Sequence, residues 1–280
     1  MENLIHYFEN IPSLHRSLIL VGGIIFFWVL EGIVPLYRGS YGKWKHALPN
    51  FFFTATTILV NFGLAFLLLR TADWVQAHNF GLINQFDIPL WLYVLLGVLL
   101  LDLIGAYLAH WVEHKVKPLW MVHLVHHSDH HVDTTTANRH HPLESMVRFV
   151  FTLVGVLVVG TPIGIIMLYQ SLSVVASQLN HANIQLPKTW DLWLSYIIVS
   201  PNMHKVHHHY VLPYTDANYG NIFSIWDRMF GTYMYLAAEK IKYGVDVFPD
   251  EKENASIKGL LRQPFQPYRK PTTGTTDSVV

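Results

Sequence analysis

The chain contains no cysteine. That absence removes disulfides, thiolate nucleophiles, Cys-based zinc sites and Cys-ligated iron–sulfur clusters. Charge is scarce as well: 14 % of 280 residues, 19 basic against 19 acidic, where a soluble domain carries about 25 %. Zero formal charge and no basic face leave no electrostatic case for nucleic acid. A hydrophobic content of 51 % excludes disorder of the whole chain. What stands in excess is histidine, 18 residues, about three times ordinary usage.

The apolar residues come in runs. Leu18 to Tyr37 holds one charge, Glu31; Asn50 to Leu69 holds none; Pro89 to Ala109 holds only Asp102. Each is about twenty residues, the length of helix a hydrocarbon core of ~30 Å requires. Phe149 to Leu179 is uncharged and interrupted by Gly160-Thr161-Pro162-Ile163-Gly164, which reads as two helices meeting at a Gly/Pro turn. Its arms of 11 and 15 residues are short for full crossings, so four spans with a re-entrant hairpin and five spans both stand. The expected helices cover about 17–37, 50–69, 89–109 and 147–180. The first run is longer than a signal h-region and only Arg16 precedes it as a basic residue, so no cleaved signal is expected. Neither end carries a lipidation motif.

Arg38, Lys43 and Lys45 follow the first run, Arg70 alone follows the second, and Lys115, Lys117, Arg139, Lys205 and Arg228 follow later. With three spans and then a hairpin, the basic loops fall on one side, which the positive-inside rule makes cytoplasmic. The fold expected is an all-α, multi-pass integral membrane protein capped by a cytoplasmic, helical, His-rich metal-binding region. It forms one domain, 1–280, with 271–280 as a disordered tail.

Four histidines are scattered (His6, His15, His46, His78); fourteen are grouped. His110 and His114 are four apart; His123, His126 and His127 follow i, i+3, i+4; His204, His207 and His208 repeat that pattern. On a helix such residues share a face with Cβ atoms ~5–6 Å apart, so their imidazoles can reach one metal ion. With His181 they make nine imidazoles, too many for one ion and suited to two ions with four or five ligands each. Imidazoles without thiolates suit iron, zinc, copper or nickel. Carboxylates are then expected behind the ligands, on the far ring N–H; Glu113, Asp129, Asp133, Glu144, Asp216 and Asp227 are the candidates. Asp102, an acid inside a span, is a functional candidate by position. His130, His131, His140 and His209 fit no repeated spacing and are expected at the surface or behind the ligands. Trp111, Trp120, Tyr107 and Trp226 could wall a lipid slot, although interfacial anchoring or packing is the favoured reading.

The order H-x-x-x-H, H-x-x-H-H, H-x-x-H-H resembles the fatty acid hydroxylase superfamily, also called the sterol desaturase family. Arg139-His140-His141-Pro142-Leu143-Glu144 is similar to its R-x-H-P-x-E stretch, and Asn180-His181-Ala182-Asn183 to its lone His before the last cluster. Asn218-Tyr219-Gly220 and Ile225 to Tyr233 are similar to its C-terminal block, so the likeness runs over about 102–233. The resemblance implies a His-ligated non-haem di-iron centre on the cytoplasmic face, using O₂ and two external electrons to hydroxylate or desaturate a lipid C–H bond. It implies His110, His114, His123, His126, His127, His181, His204, His207 and His208 as ligands, with His141 either a ligand or a supporting neighbour. Asp102, Glu144, Asn183 and Asp227 are its catalytic candidates. The cofactor implied is two iron ions, which zinc can displace in purified protein. The partners implied are a membrane, a lipid (sterol, fatty acyl, sphingoid, ether lipid or carotenoid) and a separate reductase, ferredoxin or cytochrome-type donor. A divalent-metal transporter or sensor and a zinc-dependent lipid hydrolase are the rival readings. Leu236 to Pro271 matches nothing in the family pattern.

Overall fold

The computed structural model describes residues 1–39 and 41–271. The tail expected over 271–280 lies, Pro271 apart, outside the described residues. Every regular element among those residues is helical, with two isolated β-bridges, Pro35 with Ile184 and Ile198 with Phe223.

Five helices are long and apolar enough to cross a bilayer: Ser13–Ile33, Lys43–Ala77, Leu90–Lys115, Pro142–Val159 and Ile163–His181. They are called here the first to fifth spans. Large apolar side chains face outward on them, Phe62 at 82 % and Leu59 at 68 % exposure on the second span. In water that surface would aggregate; in lipid it is the solvent-facing side.

The hairpin arms prove longer than their uncharged stretch, at 18 and 19 residues. The fourth span runs back through Arg148 and Glu144 because these charges are paired. Arg148 donates to Glu144 at 3.0 Å and to Glu113 of the third span at 2.8 Å. At the far end Gly160 takes a left-handed conformation, φ 91°, which only glycine adopts without strain, and Pro162 precedes the fifth span. The Gly160 carbonyl accepts from Gln76 of the second span and from Tyr93 of the third. The turn therefore reaches the level where the third span begins. At 18 and 19 residues each arm is about 27–28 Å of helix, close to the ~30 Å of a hydrocarbon core, so the short-hairpin alternative gives way to five helices long enough to cross.

The spans pack around Leu68, Val75, Val98, Leu101, Val156, Ile165 and Tyr169, all buried. Beyond the end of the third span the helix Lys117–His127 lies buried from Trp120 through His127. The segment with no family counterpart roofs it: Val245, Val247 and Phe248 pack on Trp120 and Leu124, and Leu260 packs on Val125. The helix Pro201–His207 begins on Ser200, whose hydroxyl accepts from the Met203 N–H, with proline in its first turn, a common pattern for a helix start.

Candidate metal centre

Three elements bring the histidines together. His110 and His114 come from the end of the third span, His123, His126 and His127 from the buried helix after it, and His204, His207 and His208 from the helix near residue 201 and its C-terminal cap. His181 is the last residue of the fifth span. The nine fall into two sets, His110, His114, His123, His127 and His207 in one and His126, His181, His204 and His208 in the other, with potential ligand atoms in each set within 4.8 Å of one another. The sets touch, the His127 and His208 rings stacking at 4.7 Å.

The ring nitrogens are arranged as donors to a shared ion. In the first set His123 Nε2 lies 3.0 Å from His110 Nε2 and 3.1 Å from His127 Nε2. In the second, His181 Nε2 lies 3.0–3.2 Å from the Nε2 atoms of His126, His204 and His208. One N–H cannot satisfy three such contacts. A cation can, since donors about 2.1 Å from one ion at this spacing subtend about 90–100°. Nε2 of His114 and of His207 is buried with no hydrogen-bond partner, a cost the fold would avoid without a ligand.

In five of the nine the opposite ring nitrogen faces outward onto an acceptor, which assigns the tautomer and leaves the Nε2 lone pair free, whereas Nδ1 of His126, His127, His204 and His208 is buried without a partner. His110 Nδ1 faces the Tyr219 carbonyl at 2.9 Å, His207 Nδ1 the Ala217 carbonyl at 2.6 Å and His181 Nδ1 the Ser177 carbonyl at 2.7 Å. His123 Nδ1 faces Glu144 at 2.7 Å and His114 Nδ1 faces Asp216 at 3.3 Å. Burial holds the His123, His126, His127, His204, His207 and His208 imidazoles well below their usual range, and neighbouring imidazoles add to the effect. They stay neutral, the form that binds metal.

The acids divide unevenly. Glu144 and Asp216 stand behind ring nitrogens of the sets, while Glu113 is 3.7 Å from His123 Nδ1 and pairs with Arg148. Asp129 and Asp133 instead bracket His46 of the second span, at 2.8 and 3.2 Å. Asp102 accepts from the backbone N–H groups of Ile222 and Phe223 and from the Trp226 indole. Asp227 accepts from the Tyr219 and Gly220 N–H groups, which places it behind the carbonyl that receives His110. Asn183 holds Tyr37 through both its amide atoms. These three hold backbone segments in place.

His141 stands outside both sets. Its ring caps the fourth span by accepting from the Leu143 N–H. His140 takes the adjacent place, stacked on His126 at 4.7 Å and 2.7 Å from Glu144; its spacing of four from Glu144 was the available signal. His131 stacks on Tyr41, and His130 and His209 contact Asn254 and the Lys242 N–H. Trp120 is buried against His114 and His127, and Tyr107 packs with Tyr219 and Trp226, whereas Trp111 is exposed. Lys205 carried no signal at all. It is fully buried, its ammonium pushed down to about 7 by burial. It donates to the Ala182 and Pro201 carbonyls, tying the end of the fifth span to the helix that bears His204.

The fatty acid hydroxylase family profile matches residues 94–232, which contains all nine histidines. Among curated relatives, an ornithine lipid hydroxylase of Rhizobium tropici is 28 % identical over 145 residues, 52 % of this chain and 43 % of its own. Human alkylglycerol monooxygenase is 25 % identical over 260 residues, 88 % of this chain and 52 % of its own. A methylsterol monooxygenase of Arabidopsis thaliana is 25 % identical over 224 residues, 78 % of this chain and 82 % of its own. The chain spans about half the length of the first two relatives. No solved structure gives a significant match. The shared histidine pattern, the multi-pass membrane fold and these relatives agree that the chain belongs to the fatty acid hydroxylase superfamily.

Proposed function

We propose that the protein is a membrane-bound non-haem di-iron oxygenase that hydroxylates or desaturates a C–H bond of a lipid, with O₂ and two electrons from a separate donor. The observation that carries this reading is the division of nine imidazoles into adjacent sets of five and four. Bound there, two iron ions would supply the oxidative chemistry that side chains lack. His110, His114, His123, His127 and His207 would hold one; His126, His181, His204 and His208 would hold the other. Glu144, Asp216 and the three backbone carbonyls orient five of the rings, and the roof over Trp120 keeps water from them. The basic loops support a cytoplasmic position for this face, where a separate reductase, ferredoxin or cytochrome-type donor would reach it.

The relatives' names cover ornithine lipids, alkylglycerols and methylsterols, so the substrate class proposed is a membrane lipid. A hydrolytic zinc site needs about three protein ligands, and nine is excessive for it. A transporter would place ligands near mid-membrane on broken helices, whereas these sit at span ends and in the elements beyond them. The test is metal analysis of protein from iron-replete cells together with lipid mass spectrometry of cells with and without the gene. Two irons per chain and one lipid class gaining an oxygen or losing two hydrogens are expected. One zinc per chain with unaltered lipids, or hydrolysed lipids, would sink the proposal.

Glu144→Gln provides a finer prediction. The shape is kept, but the charge facing His123, His140 and Arg148 is lost. Partners behind a ligand typically contribute about 10–100-fold to metal affinity, so roughly tenfold weaker retention is expected in competition with a chelator. Unchanged retention would separate Glu144 from the metal site.

A further inference from the structure

The C-terminal block lies at the depth of the spans, not above them. Asp102, seven residues before the apolar run ends at Ala109, binds the backbone of Ile222 and Phe223 and the Trp226 indole. Tyr107, two residues before that end, stacks on Phe230 at 5.4 Å and bonds Thr232 at 2.9 Å. At about 1.5 Å per residue these partners sit roughly 10 and 3 Å below the end of the run. The fifth span agrees independently: Asn221 donates to Ser173, eight residues before His181. A second segment is joined to the block, through the Ile198–Phe223 bridge and the Ser224 N–H to Ile197 carbonyl bond.

The outer side of this pair is apolar and uncovered. Trp190, Trp193 and Ile197 are 70, 69 and 65 % exposed, Met229 and Phe230 68 and 54 %. The helix Lys188–Leu194 buries none of its residues. Arg228 stacks over Tyr196 and Tyr233 at the same place, an arrangement of aromatics and cation suited to the headgroup zone. The backbone can be non-helical at this depth because its N–H groups are satisfied within the protein, Asp102 taking two of them.

We propose that the paired segments 188–197 and 222–230 form a re-entrant interfacial element whose outer face is immersed in the bilayer at the acyl–headgroup boundary. The occupant of that face is lipid, because exposed Phe230 stacks on the buried Tyr107 of the third span and so sits beside that span's outward apolar residues, among them Leu95, Leu108 and Trp111. A depth of about 5–10 Å is where amphipathic interfacial elements settle. This placement stands whether or not the histidines hold iron.

The cysteine-free chain allows a direct test. Single variants Ile197→Cys and Phe230→Cys, with Phe62→Cys and Lys252→Cys as references, are nitroxide-labelled and reconstituted in phosphatidylcholine–phosphatidylglycerol vesicles. At 197 and 230, collision with O₂ should exceed collision with a water-soluble nickel chelate severalfold, as at 62, and the ratio should reverse at 252. Nickel-chelate collision at 197 and 230 matching that at 252 would overturn the proposal. A second measurement avoids labels: brominated lipid should quench a smaller share of tryptophan fluorescence in Trp190→Phe/Trp193→Phe than in the unsubstituted protein. Equal shares would also overturn it.

Discussion

His126→Ala is expected to cost the protein one whole metal ion, and His207→Ala only part of one. The asymmetry follows from the two sets. Removing His126 leaves His181, His204 and His208, three imidazoles, one short of a closed four-ligand shell. Removing His207 leaves four donors around the other position, still a complete shell for many ions. Turnover should fall by more than about 100-fold in both, beyond the ~10–100-fold that changes behind a ligand produce. Membrane insertion should be unaffected, because neither residue lies in a span. Elemental analysis per chain, run with product formation on the same preparations, reads both quantities. Full and equal occupancy in the two variants would remove the histidines from the metal site.

What could be read in the sequence was whatever physics writes locally. A bilayer demands about twenty apolar residues in a row, so Asn50 to Leu69 announces its span without a partner. Helical periodicity puts His123 beside His126 and His127 whatever else the chain does. Partners distant in sequence leave no such mark. Arg148 looks like the end of a span until Glu113, 35 residues away, is seen to pair with it. His46 looks scattered until Asp129 and Asp133 are found on both sides of it. Lys205 reads as a solvated charge, yet lies buried on carbonyls of a helix end. His140 and His141 show the limit most narrowly. Adjacent residues on an extended backbone point opposite ways, and which of them meets Glu144 depends on the helix start that His141 itself caps.

Arg139→Met should destabilise the fold by about 3 kcal/mol or more, since a buried acceptor left without its donor costs about 1–3 kcal/mol. The guanidinium is fully buried and all its bonds are long-range or cross a turn. Nε donates to the Val125 carbonyl at 3.0 Å and Nη1 to Asn50 of the second span at 3.1 Å. Nη2 donates to Ser128 at 3.2 Å and to the Asn254 carbonyl at 2.7 Å. Methionine fills the volume but leaves the Asn50 Oδ1 and Asn254 carbonyl acceptors without this donor in a dry interior, while the Val125 carbonyl keeps only the Ser128 hydroxyl. Arg139→Lys is expected to recover less than half of the loss, because an ammonium cannot span acceptors arrayed around a planar fork. The midpoint shift in a denaturant titration of the detergent-solubilised protein measures both variants; a loss under about 1 kcal/mol for methionine would contradict the role. The two acceptors Val125 and Ser128 flank His126 and His127 in sequence. Loosening the guanidinium should therefore lower metal retention along with stability, whereas an equally destabilising change among the lipid-facing spans should lower stability alone.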